Sequence, residues 1–217
     1  GCETVTDTNV NHCGSCNFAC ALQNALAGCA KGACTVATCV LPFADCNGKP
    51  VDGCEINTNT DARNCGGCGS ACSGKNVVSP ACALGRCVSA CSAGFADCNA
   101  DKLGDGCETS IATDVLNCGA CGTICSSNRG TPGCSAGACT IACAVGFGDC
   151  DGDVNNGCEN PLNTNNNCGS CGTLCNLPHA VSECTTKACR IATCEAGWAD
   201  CNNNPADGCE VATGTDV

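Results

Sequence analysis

The sequence predicts small disulfide-rich repeats with little regular secondary structure, in which short β-hairpins and turns stack into an elongated rod. Three observations predict this fold class. Cysteine occurs 33 times in 217 residues, aromatic residues make up 2% of the chain with no Met, and the cysteines recur at a regular period. Few large apolar side chains are present to offset roughly 1–2 kcal/mol of backbone entropy per residue, so disulfides must replace a conventional core.

The repeat is marked by the tripeptide Gly-Cys-Glu, which recurs every 51 to 53 residues, and each full interval carries eight cysteines. Self-similarity at such a period is the signature of a repeat architecture. Gaps that are identical in all copies indicate rigid geometry, and gaps that vary by one residue indicate loops. The predicted repeats are residues 1–53, 54–106, 107–157 and 158–208, and residues 209–217 begin an incomplete fifth repeat.

The invariant Cys-x4-Cys step predicts a tight hairpin with a two-residue turn. Its tips are predicted at Lys31-Gly32, Leu84-Gly85, Ala136-Gly137 and Thr186-Lys187. The alternating stretches 34–39 and 139–143 are typical of short strands. The two cysteines of each hairpin would then face each other within disulfide reach. This predicts the disulfides Cys29–Cys34, Cys82–Cys87, Cys134–Cys139 and Cys184–Cys189.

A second set of disulfides is predicted across the acidic segment between Asp-Cys and Gly-Cys-Glu, because only seven or eight residues separate its two cysteines. These pairs are Cys46–Cys54, Cys98–Cys107, Cys150–Cys158 and Cys201–Cys209. The pairing would leave Cys2 to bond a neighbouring chain or a preceding repeat. Residues 208–217 also match residues 1–10 in phase. We therefore expect head-to-tail self-association, with the chain being one segment of a longer array or one filament subunit.

One aromatic residue per repeat lies three positions before the last cysteine, at Phe43, Phe95, Phe147 and Trp198. Such a row could offer exposed rings on which a ligand stacks. The favoured interpretation is a ring that packs on a disulfide as the small core of each repeat.

The repeats carry three motifs: Gly94-Phe-Ala-Asp-Cys98, Gly106-Cys-Glu108 and Asn117-Cys-Gly-Ala-Cys-Gly-Thr-Ile-Cys125. Through these motifs the chain resembles the cysteine-rich tandem repeats of large secreted or surface proteins of myxobacterial type. The resemblance covers the whole chain. The third motif is more loosely similar to STIG1-type cysteine-rich proteins of plant stigmas. The bacterial resemblance implies extracellular architecture without an assigned activity.

The acidic segments suggest a metal site, since oxygen donors stand at every second position of the third one. Calcium takes six to eight such hard ligands. The candidate ligands are Asp149, Asp151, Asp153, Asn155 and Glu159. The alternative is that Asp and Asn side chains form Asx-turns in a constrained loop, and this alternative is favoured.

The Cys-x-x-Cys pairs, the clustered cysteines and the two histidines do not favour a redox, metal-thiolate or catalytic site. Cys-x-x-Cys pairs can exchange disulfides, but the chain has no strand-helix pattern to support them. Three clustered cysteines could ligate zinc or an iron-sulfur cluster, yet an even number per repeat favours complete pairing. His12 and His179 have no repeated partner for acid-base work and are expected at the surface. We therefore predict no enzyme and no cofactor other than calcium; a metal-thiolate or redox protein is a remote alternative.

A net charge of −12 repels nucleic acid, and no apolar run is long enough to insert into a membrane. Dense disulfides persist in oxidising compartments, which predicts an extracellular or cell-surface location. The predicted function is structural: a disulfide-stapled rod or filament in a surface fibre, stalk or matrix. The alternative is an adhesin, or a carbohydrate- or calcium-dependent binding module.

Overall fold

A computed structural model describes residues 3–214 and divides the chain into two compact units, Gly1–Thr109 and Ser110–Val217. Within residues 3–214 every sheet has two strands, and the one helical element is a 3-10 turn at Pro50–Asp52. This confirms a fold of small disulfide-rich repeats built from short hairpins. The strands are β1 (Ala25–Ala30), β2 (Ala33–Cys39), β3 (Phe43–Ala44), β4 (Ile56–Asn57), β5 (Cys82–Ala83), β6 (Arg86–Cys87), β7 (Phe95–Ala96), β8 (Thr109–Ser110), β9 (Gly130–Ser135), β10 (Ala138–Cys143), β11 (Phe147–Gly148), β12 (Asn160–Pro161), β13 (Asn163–Thr164), β14 (Asn167–Cys168), β15 (Ala180–Thr185), β16 (Ala188–Cys194), β17 (Trp198–Ala199) and β18 (Val211–Ala212).

The predicted hairpins are confirmed, with their tips at the predicted positions. β1 pairs with β2, β5 with β6, β9 with β10 and β15 with β16, all antiparallel. Both residues of each two-residue tip have positive φ, for example 51° at Lys31 and 72° at Gly32. Two consecutive positive φ angles define the type I′ turn, whose twist matches that of the flanking strands.

The predicted disulfides within the hairpins are wrong, although their cysteines do lie opposite each other in register. In the first hairpin Cys29 bonds Cys13, which opens the preceding Cys-Gly-x-Cys run, and Cys34 bonds Cys20, which follows that run. The segment from the first cysteine of the run to the cysteine after the run thus provides one partner for each strand. The pairs replacing Cys82–Cys87, Cys134–Cys139 and Cys184–Cys189 are Cys65–Cys82 with Cys72–Cys87, Cys118–Cys134 with Cys125–Cys139, and Cys168–Cys184 with Cys175–Cys189.

A backbone contact explains why the run can lie so close to the hairpin. A Cβ atom added at Gly66 would lie 2.8 Å from the carbonyl oxygen of Gly85 at the hairpin tip, and Gly66 has a φ of 79°. Only glycine meets both conditions without strain. The next residue, Gly67, has an ordinary φ and only a serine hydroxyl within 4 Å of its added Cβ. Accordingly, the copies keep glycine at the first position (Gly14, Gly119, Gly169) and vary at the second (Ser15, Ala120, Ser170).

The predicted disulfides across the acidic segments are also wrong. Cys54 bonds Cys39, whereas Cys46 bonds Cys68 in the next Cys-Gly-x-Cys run. The corresponding bonds Cys143–Cys158 and Cys150–Cys171 replace Cys150–Cys158. Cys107 bonds Cys91 and not Cys98, and Cys209 bonds Cys194, which leaves Cys201 free and exposed. The prediction for Cys2 lies outside the described residues.

A carboxylate closes the acidic segment where a disulfide was expected. The side chain of Glu55 accepts a hydrogen bond from the backbone N–H of Cys46, at 3.2 Å. The N–H of Cys54 donates to the carbonyl of Gln23, just before the hairpin, and the Cys54 sulfur bonds Cys39 at the end of that hairpin. The Cys46 side chain is therefore available to the next run.

The disulfides divide the chain into groups whose first and last residues differ from those of the predicted repeats. Each group, here called a module, runs from the first cysteine of a Cys-Gly-x-Cys run to the cysteine of the next Gly-Cys-Glu and closes three bonds. The modules are residues 13–54, 65–107, 118–158 and 168–209. The bonds Cys46–Cys68 and Cys150–Cys171, here called joining disulfides, link successive modules.

Cystine sulfur provides the interior of the modules. All buried hydrophobic residues in the described part of the chain are cysteines, and four of them, Cys54, Cys107, Cys158 and Cys209, are 0% exposed. Large aliphatic side chains such as Leu41 and Val145 are instead more than four-fifths exposed, at 87% and 91%. The disulfides thus fill the space that a hydrophobic core occupies in other domains.

The glycine contact predicts a sharp difference between two neighbouring substitutions. Gly66→Ala forces a side chain into a positive-φ position and into contact with a carbonyl, and should cost about 1–3 kcal/mol. Gly67→Ala should leave stability unchanged. Denaturant midpoints of the two oxidised variants would measure the difference, and equal midpoints would contradict the role given to this contact.

Candidate functional site

The acidic junction between successive modules is the candidate site, and small sheets position it. β3 pairs with β4, β11 with β12 and β17 with β18, so each aromatic strand lies beside the residues that follow Gly-Cys-Glu. This pairing brings the Asp of Asp-Cys and the Glu of Gly-Cys-Glu to one end of the loop between them.

Each residue of Gly-Cys-Glu has a different structural role. A Cβ atom on Gly53 would lie 2.3 Å from the carbonyl oxygen of Gln23, so glycine permits the close approach of the two backbones. The cysteine is the fully buried one of the module. The glutamate accepts a hydrogen bond from the N–H of the cysteine in Asp-Cys. The distance is 3.0 Å from Cys98 to Glu108 and 2.9 Å from Cys201 to Glu210.

The third junction brings three of the five predicted ligands together. Carboxylate oxygens of Asp149, Asp151 and Glu159 lie within 4.8 Å of one another. Asp149 and Glu159 are half-buried and Asp151 is exposed. Asp153 and Asn155 are not part of this cluster.

The predicted Asx-turns are also present in this loop. The side chain of Asp149 accepts the N–H of Gly152 at 2.8 Å, and that of Asp151 accepts the N–H of Asp153 at 2.9 Å. Asp153 in turn accepts both the backbone and the side-chain N–H groups of Asn155. Turn formation and the carboxylate cluster coexist, because a carboxylate has about four lone-pair sites and an Asx-turn uses one of them.

The electrostatics separate the two aspartates of the cluster. Withdrawal from water raises the pKa of Asp149; the hydrogen bond from Gly152 opposes this, and the nearby charges of Asp151 and Glu159 add to it. The hydrogen bond from the N–H of Asp153, assisted by the side chain of Asn156, lowers the pKa of Asp151 and outweighs a smaller opposing effect of desolvation. One carboxylate therefore resists ionisation beside another that favours it.

Sequence reasoning missed a carboxylate oxygen that recurs without a partner. In Glu55, Glu108 and Glu159 one oxygen bonds the cysteine N–H, whereas Oε2 is buried and has no hydrogen-bond partner. Oδ1 of Asp105 and of Asp200 shares this property. Buried polar atoms are nearly always paired, so this repeated exception distinguishes the junctions from the rest of residues 3–214. The signal in the sequence was the invariant Glu after Gly-Cys.

The aromatic row offers less free surface than an exposed ligand platform requires. All four rings are half-buried, and His179 stacks on Trp198 with ring centroids 3.4 Å apart. The guanidinium of Arg129 lies 4.8 Å from the centre of the Phe147 ring. His179 and Arg129 are equivalent residues just before a hairpin, and both have positive φ. Side chains from the protein itself thus cover a face of these two rings.

The two histidines have structural contacts. Nδ1 of His12 accepts the N–H of Asn17 at 2.9 Å, the same bond that Asn64, Asn117 and Asn167 make to glycine N–H groups in the other runs. His179 stacks on Trp198 and lies 3.8 Å from Glu195. The substitution of His for Asn at position 12 preserves an acceptor at the same place.

The clustered cysteines are paired sulfurs. Cys13, Cys20 and Cys34 have sulfurs within 4.8 Å of one another because two disulfides pack side by side against each hairpin. The first cysteine of each Cys-Gly-x-Cys run bonds its own hairpin, as Cys65 and Cys168 do. In these two runs the second cysteine bonds the preceding module. The two cysteines of these motifs therefore do not bond each other.

None of the helices in residues 3–214 has the length and apolar character that a membrane crossing needs. Comparisons with protein-family models, with characterised proteins and with solved structures find no match to this chain. The architecture itself supports one classification: the chain is a disulfide-rich repeat protein whose modules are small hairpins.

Proposed function

We propose that this chain is an extracellular structural protein that carries tension through its disulfides, as part of a surface fibre, stalk or matrix. The observation that supports this role most strongly is the joining disulfide, because Cys46–Cys68 and Cys150–Cys171 make successive modules covalently continuous across their junctions. Dense disulfides persist in oxidising compartments, which supports a location outside the cytosol.

The three disulfides of each module suit a load-bearing role. They close loops of 14 to 17 residues, so most of the chain in a module lies inside covalent rings. Tension then passes through sulfur-sulfur bonds and short connecting segments. Such a chain resists extension even where backbone hydrogen bonds break.

The main alternative is an adhesin or a carbohydrate-binding module. It needs an exposed recognition surface, and the aromatic rings that would serve have a face covered at Phe147 and Trp198. The net charge of −12 disfavours a nucleic-acid partner.

A second proposed property is calcium binding at the third junction. Three carboxylates converge there, and Oε2 of Glu159 is buried without a hydrogen bond. A divalent cation would offset the mutual repulsion of the carboxylates and satisfy this oxygen, with water or further donors from the loop completing six to eight ligands. Asp149, Asp151 and Glu159 would hold the ion.

The pKa shifts give the pH dependence of this site. The pKa of Asp149 is raised in the folded protein, so its protonated form favours folding and this contribution is lost as pH rises through the raised value. Calcium binds the ionised carboxylate, so it competes with the proton. Affinity should therefore fall as pH falls through the raised pKa of Asp149.

Single-molecule stretching tests the structural role. With the disulfides intact, the chain should extend to less than about half the length it reaches after reduction, at about 3.3–3.6 Å per freed residue. The same molecule before and after addition of reductant provides the control. Equal extensions in the two states would contradict a load path through the disulfides.

Calorimetry tests the calcium site in the intact chain. Asp149→Asn keeps an acceptor for the N–H of Gly152 but removes the charge, and should lower the number of calcium ions bound by one. Asp153→Asn lies outside the cluster and should bind as the parent does. Proton release on binding should appear in the parent and be absent in Asp149→Asn. Identical heats for the parent and both variants would leave only the turn interpretation.

A further inference from the structure

The free cysteine of the described chain occupies a position that forms a disulfide elsewhere in the same fold. Cys201 is the exposed cysteine that precedes the Gly-Cys-Glu of its module. Its equivalents Cys46 and Cys150 both form joining disulfides, to Cys68 and Cys171. Both of these equivalents of Cys201 thus bond the Cys-Gly-x-Cys run of the following module.

The surroundings of Cys201 already have the geometry of a joining position. Its N–H donates to Glu210 at 2.9 Å, as that of Cys46 donates to Glu55 at 3.2 Å. β17 and β18 pair in front of it as β3 and β4 do. The buried disulfide Cys194–Cys209 stands where Cys39–Cys54 stands in the first module. No rearrangement is needed for the thiol to face outward.

The receiving position is also formed, at the first Cys-Gly-x-Cys run. Cys13 bonds Cys29 as Cys65 bonds Cys82, so the run adopts the same arrangement against its hairpin. Cys16 holds the position of Cys68, is exposed, and is itself disulfide-bonded. An exposed disulfide is open to attack by a thiolate from another molecule.

We propose that Cys201 of one copy bonds Cys16 of a second copy by thiol-disulfide exchange, giving a head-to-tail covalent polymer. The Cys201 thiolate attacks Sγ of Cys16, the new sulfur-sulfur bond forms, and the disulfide that Cys16 held breaks. The electron pair leaves with the released sulfur, which then takes up a proton. Each link uses one thiol and frees one, so the step needs no oxidant.

The new bond is a joining disulfide between molecules. One donor position and one receiving position on different surfaces make a heterologous contact, which extends into an open chain. The inference builds on the proposed structural role and names its partner, a second copy of this chain. Link by link, the polymer would repeat the covalent pattern found inside each unit.

Incubation of the purified 217-residue chain at mildly alkaline pH, without oxidant, tests this exchange. A ladder should appear on a denaturing, non-reducing gel, and added reductant should collapse it. The total thiol content should stay constant, and peptide mapping should join Cys201 to Cys16. Cys201→Ser alone should give no ladder. Mixed with the parent, Cys201→Ser should shorten the ladder, because it can receive a link but cannot donate one.

The mixing measurement does not depend on a variant at Cys16, whose folding could suffer. Persistent monomers would overturn the proposal, as would dimers joined through two Cys201 residues with loss of two thiols per link. A ladder linked at a cysteine other than Cys16 would also overturn it. None of these outcomes would alter the stretching result for single chains, so the proposed structural role is tested separately.

Discussion

The packing of a hairpin tip against the glycine of a Cys-Gly-x-Cys run is the constraint on which the rest of the structure depends. It brings one short segment alongside two strands, so that Cys65 meets Cys82 and Cys72 meets Cys87. A side chain at Gly66 would separate the two segments. With the first cysteine of the run committed to its own hairpin, the second is left for the preceding module.

This constraint also explains what the sequence could predict and what it could not. Hairpin tips such as Lys31-Gly32 were predictable, because turn type follows from local spacing and φ preference. Disulfide partners were not, because Cys29 and Cys34 face each other in register and still bond elsewhere. Their choice depends on where a third segment lies, which is a tertiary property that spacing within the hairpin does not contain.

The acidic junction shows the same division between local and tertiary information. The Asx-turns at Asp149 and Asp151 follow from residue type, and the alternation of oxygen donors indicated the carboxylate cluster. Glu159 closes the loop through the N–H of Cys150, at 3.2 Å, which is a contact between segments. A carboxylate therefore closes the loop that was predicted to be closed by a disulfide. Its second oxygen is buried at the candidate ion site.

The central claim is that successive modules are joined covalently, and disulfide mapping of the unreduced protein by mass spectrometry tests it most directly. The account predicts a cross-linked peptide that joins Cys150 to Cys171 and another that joins Cys143 to Cys158. A peptide that joins Cys150 to Cys158 would contradict it, because every module would then close on itself and the junctions would carry no covalent link.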